Sequence, residues 1–174
     1  MYWLSKSKAP VVRPYDRIGA VQYAHQWAYG RNPKYYDFSD LGGDCTNFAS
    51  QCLYAGSGVM NYTKEAGWYY ISLNDRAPAW TGVDELYRFL TANISRGPFA
   101  QETTMEQVQP GDIVQLSFVG HNDFQHTPVI VAVNNPINLQ NILIAAHSDD
   151  QDYYPLASYK WKQIRFLKIM GVYI

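Results

Sequence analysis

The spacing of apolar residues changes at Gly97-Pro98, and this change restricts the folds that the chain can adopt. Before it, apolar residues recur every three or four positions, which predicts helices that begin near Asp16, Asp44 and Thr81. After it they alternate, which predicts strands at 113–116, 129–133, 141–147 and 163–173. Helices that come before strands are typical of an α+β fold, here with N-terminal helices and a C-terminal antiparallel β-sheet.

Length and charge limit the classes of function. The 174 residues suffice for one domain with a sizeable core, which we assign to 15–174, and 1–14 form a predicted N-terminal tail. Because 14 Lys and Arg stand against 15 Asp and Glu, the charge gives no reason to expect a nucleic-acid partner. No apolar run is long enough for a membrane span, and the apolar stretch within 1–9 is too short for a signal peptide. We expect a monomer, located outside the cell or at its wall only if the chain is part of a longer exported protein.

Cys45 is the candidate nucleophile. It follows Gly42-Gly43-Asp44, in which two loop glycines and an N-cap residue mark the beginning of a helix. The first turn of a helix carries free N–H groups and the positive end of the helix dipole, so a thiol there should ionise more easily. Cys52 lies two turns further along the same predicted helix, too far away for a disulfide with Cys45. We interpret Cys52 as an ordinary buried thiol.

A cysteine nucleophile needs a base and a group that orients this base. His126 precedes one predicted strand and His147 ends the next, and antiparallel pairing should make the two residues neighbours. This predicts a site of Cys45, His126 and His147, in which one imidazole takes the thiol proton and the other holds it in place.

Other residues compete for these roles. His121 is an alternative base, and Asp149 and Asp150 are alternative orienting groups. Metal binding by His121, Asp123 and His126 is a weaker alternative, because two cysteines and four histidines show no zinc-site spacing. We therefore expect no metal.

Aromatic residues are abundant, with 15 Tyr, 7 Phe and 5 Trp. The tyrosine hydroxyls need partners or water, and so many exceed what a core of this size requires. Trp68, Tyr70 and Trp80 lie in a segment of little periodicity, 59–80, which predicts a long loop. We predict that these three aromatic residues wall a substrate groove.

The motifs around these residues resemble one family, and they follow one another in the family's order over roughly 15 to 170. The string Asp44-Cys45-Thr46-Asn47-Phe48-Ala49-Ser50-Gln51 is similar to the nucleophile motif of the putative amidase domain family. Pro110-Gly111-Asp112 resembles its turn before the histidine strand, and His126 its catalytic histidine. His147-Ser148-Asp149-Asp150, followed by Pro155-Leu156, resembles its second histidine segment.

This family is related to papain-like cysteine hydrolases of the NlpC-type cell-wall peptidases and the CHAP amidases. The resemblance implies a papain-like fold, a thioester mechanism without a cofactor, and an amide substrate in a cell-wall peptide, peptidoglycan or a related peptide. It implies Cys45, His126 and His147 as catalytic residues. Asp44 and Asp150 join the three aromatic residues as candidate substrate-binding residues. The alternatives are an acyltransferase that uses the same thioester, and a non-catalytic module that binds a glycan or a peptide.

Overall fold

A computed structural model describes residues 9–174 of the chain, so positions 1–8 of the predicted tail lie outside the described residues. Within 9–174, four α-helices come mostly before the strands: Arg17–Trp27 (α1), Cys45–Ser57 (α2), Pro78–Thr81 (α3) and Val83–Ala92 (α4). The strands of this range are Val12–Arg13 (β1), Tyr70–Ser72 (β2), Asp75–Arg76 (β3), Gly97–Thr103 (β4), Ile113–Ser117 (β5), Val129–Val133 (β6), Ile142–Ala146 (β7), Gln151–Pro155 (β8) and Gln163–Tyr173 (β9). The α+β class with an antiparallel sheet is confirmed.

The main sheet has seven strands and curls around the long strand β9. Its order is β1-β9-β5-β6-β7-β8, and β4 pairs with β9 as well. All of these pairs are antiparallel. For this sheet, the predictions located β5, β6, β7 and β9 but missed the other three strands. β1 lies in the predicted tail, β4 follows directly on Gly97, and β8 overlaps a segment predicted as an acidic loop.

Helix α2 is the centre of the molecule. An amphipathic helix buries only one of its faces, but in α2 every residue from Cys45 to Leu53 is buried. The polar residues among them satisfy their hydrogen bonds inside the protein, which makes their burial tolerable. Ser50 accepts from the indole N–H of Trp68 at 3.0 Å, and Asn47 accepts from that of Trp80 at 2.8 Å.

The segment 59–80 is therefore part of the core. Trp68 and Trp80 have no exposed surface, and their rings pack 5.0 Å apart between centroids. The ring of Tyr70 lies 5.9 Å from that of Trp80 in a tilted arrangement, and its hydroxyl accepts from the backbone N–H of Tyr36 at 2.8 Å. The prediction that these aromatics wall a groove is wrong for Trp68 and Trp80, because they use their indole N–H groups to bind α2.

Apolar residues form two clusters, one on each face of the sheet. One cluster lies between the helices and the sheet and includes Phe48 and Leu53 of α2. The other lies on the opposite face, where Leu116 and Ile130 pack beneath the segment that links β8 to β9. The candidate site lies at the first residue of α2, where this helix meets the sheet. Among the described residues, no helix is long and apolar enough to cross a membrane.

Helix α1 packs on α2 through very small residues. Asp16 caps α1 by accepting from Gly19 N–H at 2.9 Å, as predicted, and its own N–H donates to the carbonyl of Gly56. A Cβ atom at Gly56 would lie 2.7 Å from the carbonyl oxygen of Asp16 and would also collide with the ring of Tyr15. Only glycine permits this close approach.

We therefore expect Gly56→Ala to lower the free energy of unfolding by about 2 kcal/mol, as overpacking does, although alanine favours a helix by about 1 kcal/mol over glycine. Urea denaturation measures the change. The control is Ala55→Gly at the exposed neighbouring position, where only the propensity loss of about 1 kcal/mol applies. A more stable Gly56→Ala variant would contradict this packing.

Candidate active site

Cys45 is the first residue of α2, as predicted, and it lies where the helix meets the sheet. Its thiol donates to the carbonyl oxygen of Gln125 at 3.8 Å and lies 3.8 Å from Thr46 Oγ1. Thr46 Oγ1 in turn lies 3.0 Å from Thr127 Oγ1. The sulfur therefore borders the backbone on both sides of His126.

Asp44 occupies the N-cap position but does not cap the helix with its side chain. Its Oδ1 accepts from the N–H of Phe38 and from Asn47 Nδ2, both at 2.8 Å. Its Oδ2 accepts from His147 Nδ1 at 2.5 Å. Asp44 is completely buried, so the prediction that it meets a substrate amine is wrong. The N–H of Cys45 has no hydrogen-bond partner within the part of the chain that the structure describes.

His147 is bound at both ring nitrogens. Its Nδ1 faces Asp44, its Nε2 faces the carbonyl oxygen of Trp27 at 2.9 Å, and its ring stacks on Phe48 with 4.1 Å between centroids. Both partners are oxygen acceptors, so both ring nitrogens are engaged inside the protein. His147 does not orient His126. The expectation that the two histidines pair is wrong, since Val129 pairs with Ala145 and the same register, continued beyond the strands, places His147 opposite Thr127.

Arg31 extends this buried ionic cluster. Its guanidinium group donates two hydrogen bonds of 3.0 Å to the two carboxylate oxygens of Asp150, and its Nε lies 3.7 Å from Asp44. Both carboxylate oxygens of Asp150 are therefore engaged. This position suits a structural ion pair better than the substrate-binding or orienting roles predicted for Asp150.

His126 lies beside β5 rather than inside a strand, since it forms an isolated bridge with Leu116 before β6 begins. The alternation of side chains directs Thr127 towards α2 and His126 towards the opposite face. There its ring lies 6.2 Å from that of Phe118. Burial lowers the pKa of His126 to about 4, and the negative charge of Asp149 opposes this shift only in part. The ring is consequently neutral over most of the pH range.

Tyr159 is a partner of His126 that the sequence did not reveal. Its hydroxyl lies 3.2 Å from His126 Nε2. Burial is the main cause that raises the pKa of Tyr159, and the neighbouring ionisable groups of Tyr154 and Asp149 add to it, so the hydroxyl stays protonated. Tyr159 occupies a short irregular segment without a motif, and no sequence signal could have identified it.

The thiol of Cys45 contacts the backbone next to His126 but is not bonded to the imidazole. Among the contacts of residues 9–174, no hydrogen bond joins Cys45 Sγ to either ring nitrogen of His126. Burial raises the pKa of Cys45 above its ordinary value, and hydrogen bonds from Thr46 and from the backbone of Thr127 only partly oppose this. The expectation that the helix start lowers this pKa is not met, because desolvation outweighs the other effects. The resting site therefore holds a neutral thiol beside a neutral imidazole.

The remaining candidates lie at the surface. His121 is exposed in a turn with a φ of 58°, and its ring forms no hydrogen bond with another described residue. Asp149 is exposed and also has a positive φ of 65°. No group of three or more His, Cys, Asp or Glu side chains within 9–174 is arranged to hold a metal ion.

Comparisons with known proteins identify relatives of the chain. A family model described as a putative amidase domain matches residues 14–170. The protein named "uncharacterized protein YhbB" of Bacillus subtilis (strain 168) is 36% identical over 120 residues, which make up 68% of this chain and 37% of that protein. The chain thus covers well under two thirds of the length of this relative. No solved structure matches it.

Asp44→Asn tests whether the buried carboxylate is structural. In either orientation the amide would point its NH2 group at a buried donor that now binds Asp44, so we expect a loss of about 1–3 kcal/mol in the free energy of unfolding. Urea denaturation at pH 7 measures it. Asp149→Asn is the matched control, for which the exposed position predicts a change within about 0.5 kcal/mol. Equal stability of the two variants would contradict the structural role of Asp44.

The buried imidazole of His126 predicts how stability depends on pH. The pKa of His126 in the folded protein, about 4, lies below the value of about 6.5 in an unfolded chain. The unfolded state therefore binds more protons between these values, and stability falls as the pH drops from about 6.5 to about 4. The shift corresponds to a loss of about 3 kcal/mol over this window.

Urea denaturation of the protein and of His126→Gln at several pH values isolates this contribution, because other titrating groups are common to both. We expect the difference between the two free energies of unfolding to change by about 3 kcal/mol between pH 7 and pH 4. A difference that stays constant with pH would show that His126 is not buried in its neutral form.

Proposed function

Because the chain belongs to the putative amidase domain family, we propose that it is a cysteine amidase or peptidase that cleaves an amide bond through a thioester on Cys45. The family description indicates amide hydrolysis. The position of the Cys45 thiol carries the proposal of a cysteine mechanism. This thiol lies at the first residue of α2, against the backbone that flanks a buried histidine. It also lies beside its own backbone N–H, which has no partner among residues 9–174.

His126 is the base in this proposal. Its Nε2 faces Tyr159, whereas its Nδ1 has no hydrogen-bond partner among the described residues and is not among the fully buried polar atoms. Nδ1 therefore remains open to accept a proton. The proposal requires Cys45 Sγ to leave the Gln125 carbonyl and meet Nδ1 when substrate binds, and such tightening on substrate binding is common in catalytic sites.

The reaction proceeds in two stages. In the first, Cys45 Sγ bonds to the amide carbon and its proton passes to His126 Nδ1. The C–N bond then breaks, the amine leaves with the proton from His126, and a thioester remains. In the second, water attacks the thioester carbon and gives its proton to His126, and Cys45 regains a proton as the acid is released.

The beginning of α2 suits the backbone N–H of Cys45 for the binding of an oxyanion. Since the Asp44 carboxylate is held by Phe38, Asn47 and His147, it does not occupy the N–H groups of the first helical turn. The Cys45 N–H can then donate to the oxygen of the tetrahedral intermediate. One such donor is worth about 100- to 1000-fold in rate.

The proposed fold and substrate go further than the family description. We assign the domain 15–174 to the papain-like hydrolases of the NlpC and CHAP type, on the basis of the nucleophile motif at the helix start and the antiparallel sheet behind it. The proposed substrate is an amide bond in peptidoglycan or a related peptide. Transfer of the acyl group to an amine instead of water is the alternative outcome of the same thioester.

The test compares the two cysteines of α2. We expect Cys45→Ala to abolish the release of amines from a panel of purified peptidoglycan and synthetic peptides, measured with fluorescamine. Cys52→Ala is the matched control, since Cys52 is buried in the core of the same helix and should leave turnover intact. Trapping with hydroxylamine should yield a hydroxamate with the wild-type protein, as a thioester intermediate requires.

Each outcome separates the alternatives. Normal turnover by Cys45→Ala would overturn the cysteine mechanism. Binding of peptidoglycan by the wild-type protein without amine release at any pH would favour the non-catalytic binding module. A product that contains an added amine in place of free acid would assign the acyltransferase.

A further inference from the structure

We propose that Tyr159 is the positioning residue that holds the base His126 in its reactive tautomer, the role that sequence patterns assign to His147. This inference rests on the proposed function, and it identifies the third member of the same site. The observation behind it is the contact of 3.2 Å between the Tyr159 hydroxyl and His126 Nε2.

The other candidates for this role are committed elsewhere. His147 uses both ring nitrogens on Asp44 and Trp27, and Asp150 uses both carboxylate oxygens on Arg31. Asp149 influences His126 only through its charge, without a hydrogen bond to the ring. Within 9–174, Tyr159 is thus the one side chain that is hydrogen-bonded to the base.

The chemistry of the base determines which way this hydrogen bond runs. Nδ1 must be unprotonated to take the thiol proton, so the neutral ring must carry its hydrogen on Nε2. Nε2–H then donates to the oxygen of Tyr159, and the bond becomes charge-assisted once Nδ1 is protonated as well. A hydroxyl that accepts here favours the reactive tautomer and stabilises the imidazolium that forms during attack.

Tyr159 is held in position by its surroundings. Its ring packs edge-on against Tyr154 at 5.3 Å and lies 6.4 Å from that of Phe118. Its backbone N–H donates to the carbonyl of Leu156, and this hydrogen bond closes the short 3-10 turn Leu156–Ser158 that follows β8. The ring therefore has little freedom to leave His126, as a positioning residue requires.

The direct test is the tautomer of His126. Two-bond ¹H–¹⁵N spectra of the protein with labelled histidine report which ring nitrogen carries hydrogen, and His126→Gln assigns the signal among the four histidines. At pH 7 we expect hydrogen on Nε2 in the wild type and a mixture of tautomers in Tyr159→Phe. The rate of Cys45 alkylation by iodoacetamide at pH 7 should fall about tenfold in the same variant, a part of the 10²- to 10⁴-fold that a general base supplies.

Tyr154→Phe is the matched control. It removes a hydroxyl from the neighbouring ring, one that forms no hydrogen bond with any described residue, so it should change neither the tautomer nor the alkylation rate. An equal effect of Tyr154→Phe would show that only the packing of the loop matters and would overturn the inference.

The remaining outcomes separate this inference from the proposed function. Hydrogen on Nδ1 in the wild type, or a Tyr159→Phe variant with an unchanged tautomer, would overturn the role of Tyr159 whatever the activity. An alkylation rate that does not respond to His126→Gln would overturn the catalytic pair. The tautomer in the wild type and in Tyr159→Phe would still decide whether Tyr159 positions the ring.

Discussion

The buried carboxylate of Asp44 is the contact on which the arrangement of the site depends. It joins the beginning of α2 to the loop at Phe38 and, through His147, to the end of β7. Arg31 follows the end of α1, lies near the same carboxylate and forms an ion pair with Asp150, the residue before β8. One charge therefore gathers four separate parts of the chain around the helix start. Such a charge is tolerated in the core only because each oxygen is hydrogen-bonded.

This use of Asp44 determines what the helix start can do. A side chain that caps a helix satisfies the N–H groups of the first turn. The Asp44 carboxylate faces inward instead, and the N–H of Cys45 has no partner among the described residues. The same residue thus stabilises the fold and leaves the helix dipole free beside the thiol. The Asp-Cys order of the motif has a physical reason that involves no contact between Asp44 and a ligand.

The sequence was informative where local patterns decide the structure. The apolar spacing predicted α1, α2 and four strands of the sheet, and the glycines before Asp44 predicted the helix start at Cys45. The sequence did not indicate contacts between residues that lie far apart in the chain. The burial of Trp68 depends on a hydroxyl of α2 that no local pattern indicates, and the neighbour of His126 depends on the register of β6 and β7, where one residue reverses the face of every side chain. For the same reason Tyr159 could be found only in three dimensions.

The electrostatics of the site favour activation by the substrate rather than in advance. A thiolate and an imidazolium in this buried site would need polar groups nearby to stabilise their charges. The ring of His126 instead faces Phe118 and Tyr159, and the nearby charge of Asp149 is exposed to solvent. Burial thus keeps both partners neutral at rest. A neutral thiol is a poor target for oxidants and alkylating reagents. In the proposed mechanism, the thiol proton moves once a substrate carbonyl lies against the N–H of Cys45, because the negative charge would then develop beside a hydrogen-bond donor.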